Sequence, residues 1–86
     1  MTKRKKFKKD DILVCIKTQR YGCGAMKLRK GALVKAEEDE DYDMISIFRA
    51  KRDEDKRWKA FSVEVEKMRL ATSDEVAWYE QGIRII

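Results

Sequence analysis

The sequence predicts a mainly β fold: a small five-stranded barrel with one short helix near its C-terminus. Three observations carry this. Short apolar runs at residues 12–16 and 32–36, in the two arms of a hairpin spanning 43–65, and at 83–86 are separated by turn signals. The hairpin arms alternate apolar and polar residues with the period of two of a half-buried strand. Thr72, followed three positions later by Glu75, makes a single capping box and so announces one helix.

Size and charge bound the rest. The chain has 86 residues, a mass of 10.2 kDa and a net charge of +5. That suffices for one domain with one modest core and is too little for two. Lys3, Arg4, Lys5, Lys6, Lys8 and Lys9 precede any acidic residue, and residues 10–86 carry 15 basic and 16 acidic side chains, a net of −1. Residues 1–9 hold little apolar content besides Phe7 and read as a disordered basic arm attached to a barrel domain of residues 10–86. In that arm Phe7 is available to insert into or stack on a partner. A cationic arm strengthens binding to phosphate polymers by counterion release, without sequence specificity; a plain solubilising extension is the alternative.

Asp10 and Asp11 lead into Ile12, Leu13, Val14, Cys15 and Ile16, a β-branched run too short for a lone helix, which reads as a strand buried on both faces. From Lys17 to Lys30 the pattern dissolves into a basic loop containing Tyr21, bends at Gly22 and Gly24, and the bases Lys17, Arg20, Lys27, Arg29 and Lys30. Met26 and Leu28 tuck under the barrel. The Gly22-Cys23-Gly24 sequence is not a nucleotide phosphate loop, because no Gly-Lys-Ser/Thr follows and no helix begins there. Residues 32–36 form the second strand and run into Glu37, Glu38, Asp39, Glu40, Asp41 and Asp43. These lack the central glycine and flanking helices of a calcium-binding hand, so they read as a solvated acidic turn whose repulsion discourages edge-to-edge pairing with other chains.

A three-residue turn at 53–55 sets the hairpin register. It places Ile47 opposite Phe61 and Ile45 opposite Val63, which makes one face apolar and assigns it to the core. The other face then carries Phe48, Ala50, Trp58 and Ala60, with Arg49, Lys51, Arg57 and Lys59 beside them, and is the candidate working surface. A turn longer by one residue would swap the faces of one strand. After Met68, the phrase Leu70-Ala71-Thr72-Ser73-Asp74-Glu75 opens the helix, Asp74 favours the positive end of its dipole, and Gly82 closes it. Val76 with Ala77 or Tyr79 packs down, Trp78 partly covers the barrel end, and Ile83, Ile85 and Ile86 make a last short strand.

Several function classes are excluded. The chain has no histidine, which removes a histidine-based triad, a histidine-ligated metal and a histidine pH switch. Two cysteines cannot complete a structural zinc site. Cys15 reads as an inert core thiol and Cys23 as a loop thiol of a reduced, cytosolic protein, with a Cys15–Cys23 disulfide as the alternative. No apolar run approaches the roughly 20 residues of a membrane span, and the basic N-terminus lacks the apolar segment of a signal peptide. No nucleophile has a base beside it and the carboxylates have no low-dielectric setting, so no catalytic residue and no cofactor is expected.

The order of strand, long loop, Leu28-Arg29-Lys30-Gly31 before a second strand, acidic turn, hairpin at 43–65 and Arg69-Leu70-Ala71-Thr72-Ser73-Asp74-Glu75 resembles the small SH3-like barrel proteins among the accessory genes of T4-like tailed bacteriophages. The resemblance covers the chain from about residue 11 onward. Leu33 and Val34 stand where such proteins often look aromatic, and the basic arm is an addition. The resemblance implies a small phage protein that acts by binding, often against host machinery or host defence, in the host cytoplasm, and it supplies no catalytic residue.

The leading expectation is a non-enzymatic nucleic-acid-binding module, with RNA favoured. Its candidate contacts are Lys3, Arg4, Lys5, Lys6, Lys8 and Lys9 in the arm, Arg20, Tyr21, Lys27, Arg29 and Lys30 in the basic loop, and Phe48, Arg49, Lys51, Arg57, Trp58 and Lys59 on the hairpin, where Phe48 and Trp58 would stack on bases. In the blander reading Trp58 caps the core edge and the lysines are ordinary solvated surface. The alternative function is a protein-binding inhibitor or adaptor that captures a host protein through the hairpin surface or the acidic turn, which would mimic nucleic acid to a basic partner. Neither reading involves a metal, a cofactor or a membrane.

Overall fold

Ile12, Leu13, Val14 and Cys15 are all buried, as a strand covered on both faces requires. In the computed structural model, which describes residues 7–21, 26–55 and 61–82, they form β1 (Ile12–Cys15), followed by β2 (Gln19–Tyr21), β3 (Met26–Leu28), β4 (Leu33–Ala36), β5 (Met44–Phe48), β6 (Phe61–Glu64), β7 (Met68–Leu70) and α1 (Ser73–Glu80). The described residues are mainly strand, with one five-stranded antiparallel sheet in the order β6-β5-β4-β1-β7, a separate two-stranded β2-β3 sheet and one α-helix. Ile16, expected to continue β1, is exposed.

β1 is flanked by β4, with Leu13 opposite Val34, and by β7, with Cys15 opposite Met68. Period-two alternation then divides the side chains between two apolar layers. Leu13, Cys15, Val34, Ala36, Ile45, Ile47 and Val63 meet on one face, together with Leu28 and Met68. Ile12, Val14 and Leu33 meet on the other, under Tyr79 of α1. The helix is what buries this second face of an antiparallel sheet, which would otherwise be open to water.

The hairpin register matches the sequence expectation: Ile45 pairs with Val63 and Ile47 with Phe61. The connection, however, is much longer than three residues. β5 ends at Phe48, a 3₁₀ turn covers Lys51–Asp53, and β6 starts at Phe61. Residues 49–55 are nearly all charged, so they offer β5 almost nothing to bury on either face. Phe48 is only 7% exposed, which corrects its assignment to an open working surface. It is the register partner of Lys35 and so lies on the face of the sheet that α1 covers. Trp58 and Ala60, expected beside it, lie outside the described residues, as does the strand expected at 83–86.

A second correction concerns the arm. Phe7 is 3% exposed and belongs to the core cluster with Leu13 and Ile45, so it is not available to stack on a partner. Its N–H donates to Glu40 Oε1 at 2.8 Å, and the Glu40 N–H donates back to its carbonyl at 3.2 Å. Glu40 is 4% exposed, so one member of the expected solvated acidic turn is instead a buried hydrogen-bonding post. Asp39 takes part as well, accepting from the Lys9 N–H at 2.8 Å.

The capping box is present in both halves. Thr72 Oγ1 accepts from the Glu75 N–H at 3.3 Å, and Glu75 Oε1 accepts from the Thr72 N–H at 2.8 Å. Gly82 follows the helix at φ +75°, a left-handed conformation that suits glycine, and its N–H donates to the Tyr79 carbonyl at 3.0 Å. Only Tyr79 of the helix is buried, whereas Val76, Ala77 and Trp78, expected to pack down or cover the barrel end, are exposed. The 3₁₀ turn Val65–Lys67 joins β6 to β7 and buries Val65.

Candidate nucleic-acid interface

Residues 17–30, expected as a loop, contain the β2–β3 hairpin, with Gln19 opposite Leu28, Arg20 opposite Lys27 and Tyr21 opposite Met26. Gln19 and Leu28 are buried, so alternation turns Arg20 and Lys27 to the outer face, and both are exposed. Three-residue strands are too short to show a period in the sequence, and the inward position is a glutamine rather than an aliphatic residue, which hid the hairpin.

Gln19 explains how so short a hairpin is held. It is 4% exposed; its Oε1 accepts from the Glu64 N–H at 3.0 Å and its Nε2 donates to Met68 Sδ at 3.5 Å. Glu64 ends β6 and Met68 begins β7, the two edge strands of the main sheet, so one side chain ties the hairpin to both. The legs are fastened too. Ile16 donates its N–H to the Lys67 carbonyl at 2.8 Å, Lys30 donates its N–H to Thr18 Oγ1 at 3.0 Å, and the Cys15 thiol donates to the Lys17 carbonyl at 3.0 Å. Gly31, at φ +95°, donates its N–H to the Cys15 carbonyl at 2.7 Å, closing the base of the hairpin in a conformation that other residues rarely adopt.

The charge on this hairpin is one-sided. From Ile12 to Ala36 the chain contains no acidic residue, while Lys17, Arg20, Lys27, Arg29 and Lys30 all lie on or beside the hairpin and are exposed. The next stretch reverses the sign completely, with Glu37, Glu38, Asp39, Glu40, Asp41 and Asp43 and no base among residues 37–43. The structure thus brings together Arg20, Lys27, Arg29 and Lys30 from the sequence candidates. Tyr21 is placed in β2 by its backbone. Lys8 and Lys9 are exposed, although their N–H groups are held by Asp11 and Asp39. Arg49 is exposed, and Lys51 is exposed but ion-paired with Glu80. Phe48 does not reach any surface cluster. Lys3, Arg4, Lys5, Lys6, Arg57, Trp58 and Lys59 lie outside the described residues.

A second polar cluster joins α1, β4 and the 49–55 connection. Glu54 accepts from Lys35 Nζ at 3.0 Å through Oε1 and from the Tyr79 hydroxyl at 2.9 Å through Oε2. The hydrogen bond to Glu54 raises the Lys35 pKa and keeps the ammonium charged. Burial, reinforced by the bond to Glu54, pushes the Tyr79 hydroxyl well up. Every member is satisfied within the cluster, so it reads as a brace between helix and sheet. Among the described residues no group of three or more His, Cys, Asp or Glu side chains is placed to hold a metal ion, and no helix is long and apolar enough to cross a membrane.

A scan against protein-family models and searches of curated proteins and of solved structures find no match to this chain.

Proposed function

We propose that this chain is a small non-enzymatic SH3-like barrel module that binds nucleic acid through its phosphate backbone, using the β2–β3 hairpin and the basic arm. The observation that carries the reading is the acid-free stretch from Ile12 to Ala36, whose exposed cations lie on or beside a hairpin tied to the main sheet by Gln19. A fixed cluster of cations releases condensed counterions from a phosphate polymer at little conformational cost. The barrel reading is supported by the strand order: a first strand, a long hairpin, a three-stranded meander, a 3₁₀ turn and a last strand returning beside the first. That order also fits the resemblance to phage accessory proteins, which implies a protein that acts by binding in the host cytoplasm. The preference for RNA rests on stacking by Trp58, now without Phe48 as a second platform.

The test is binding to a labelled single-stranded RNA at 50 and 200 mM salt, with DNA of the same length as competitor. Five phosphate contacts imply a loss of about a hundredfold in affinity between the two salts. Binding that ignores salt, or no binding, overturns the reading. One observation favours a second reading, capture of a basic protein: Tyr42 is 87% exposed at the tip of the acidic turn. That reading is supported if a basic protein partner binds and RNA does not compete.

A further inference from the structure

Residues 7–11 lie against residues 36–40 and run the opposite way. Asp10 donates its N–H to the Ala36 carbonyl at 3.0 Å and Ala36 donates its N–H to the Asp11 carbonyl at 2.8 Å, while Lys9 meets Asp39 and Phe7 meets Glu40. Falling numbers on one side meet rising numbers on the other, so the line of pairing leads from Phe7 toward residues 41–43. There Asp41, Tyr42 and Asp43 are all exposed, Tyr42 by 87%. An open groove of about 430 Å³ runs between the two segments, lined by Lys9, Glu38, Asp39, Glu40 and Asp41. The six residues that precede Phe7 in the chain include Lys3, Arg4, Lys5 and Lys6 and no acid.

We propose that the basic arm, residues 1–6, docks on the acidic turn of its own chain, with its cations against Glu38 and Asp41 and over the ring of Tyr42. Six residues reach at most about 20 Å from the root at Phe7, and Asp41 and Tyr42 directly follow Glu40, the residue bonded to that root. So short a tether gives the cations an effective concentration in the millimolar range at the turn. The acidic turn thereby stands in for a phosphate backbone. The inference deepens the nucleic-acid reading and rests on it for the competitor: a nucleic acid draws the arm away from the turn, so the turn sets how much of the arm's charge is available to phosphate. Exposed ion pairs add little to folding stability, so docking is read from local signals and from binding rather than from melting.

The test uses the full chain, an arm variant with Lys3→Gln, Arg4→Gln, Lys5→Gln and Lys6→Gln together, a turn variant with Glu38→Gln and Asp41→Asn, and their combination, with melting curves to verify that each is folded. Without ligand, the NMR amide signals of residues 41–43 are expected to differ between parent and arm variant, and added salt is expected to move the parent's signals toward those of the arm variant. Identical signals in the two proteins, or differences that fade on dilution, overturn docking within the chain. With a labelled single-stranded RNA at low salt, the turn variant is expected to bind about fivefold more tightly than the parent, and the combined variant is expected to bind as the arm variant does. An equal gain in both backgrounds, or no gain in the parent, overturns the competition that docking requires. If RNA binds with steep salt dependence while the turn signals ignore the arm, the nucleic-acid reading stands and the docking falls. If the turn signals respond to the arm and no RNA binds, the docking stands and the nucleic-acid reading falls.

Discussion

Phe7 and Glu40, 33 positions apart, hold each other by two hydrogen bonds, with the Phe7 N–H donating to the Glu40 carboxylate and the Glu40 N–H donating to the Phe7 carbonyl. The aromatic ring sits in the main core while the carboxylate is buried beside the backbone it serves. The basic arm is thereby rooted in the folded body at residue 7.

Truncation should locate that root. Deleting residues 1–6 is expected to leave stability unchanged, whereas Phe7→Ala is expected to cost about 3–5 kcal/mol, the scale of a large aromatic core deletion. Urea denaturation of the two proteins measures the difference. Equal stability of Phe7→Ala and the parent would contradict the placement of Phe7.

Phe48 gives a parallel test on the other side of the sheet. As a buried residue beside Lys35 it is expected to cost about 3–5 kcal/mol when replaced by alanine. A melting temperature unchanged by Phe48→Ala would return it to the surface role that the hairpin pattern alone assigns it.

Gln19→Ala removes the acceptor for the partly buried Glu64 N–H and is expected to cost about 1 kcal/mol, the net worth of a typical hydrogen bond. Hydrogen exchange should localise the effect, with the Glu64 amide and the β2–β3 amides exchanging faster and the β1–β4 amides unchanged. Uniform loss of protection would mean that Gln19 supports the whole core rather than the hairpin.

Acid should release the helix cap. The bidentate hydrogen bond from Arg69, helped by the Thr72 N–H, lowers the Glu75 pKa from its ordinary 4.5 to about 2. Because the folded value lies below the unfolded one, the contribution is complete above the ordinary pKa and disappears as pH falls from there toward 2. Glu75→Gln is therefore expected to cost about 1 kcal/mol at pH 7, with the gap to the parent closing near pH 2. A gap independent of pH would exclude the ionised carboxylate as its origin.

The parts of this fold legible in the sequence are those whose determinants are local or periodic. Thr72 and Glu75 are three positions apart and complete a motif by themselves, and Ile45, Ile47, Phe61 and Val63 carry a register that survives a connection of quite different length. Alternation alone misplaces Phe48, because it assigns a residue to a face but cannot say that this face of the sheet is the one packed under a helix from the far end of the chain. Glu40 is one acid in a run of acids, and only its partnership with Phe7 distinguishes it. The cations of the hairpin are legible as residues; the outward placement of Arg20 and Lys27 depends on the burial of Gln19, whose partners lie 45 and 49 positions away.

The most direct measurement is the salt dependence of RNA binding by the parent and by a Lys27→Gln, Arg29→Gln, Lys30→Gln triple variant. If the β2–β3 hairpin meets the phosphate backbone, the slope of log affinity against log salt falls in magnitude by about 2, at roughly 0.7 for each lost contact to a single strand. An unchanged slope and unchanged affinity would contradict the assignment of this hairpin as the interface.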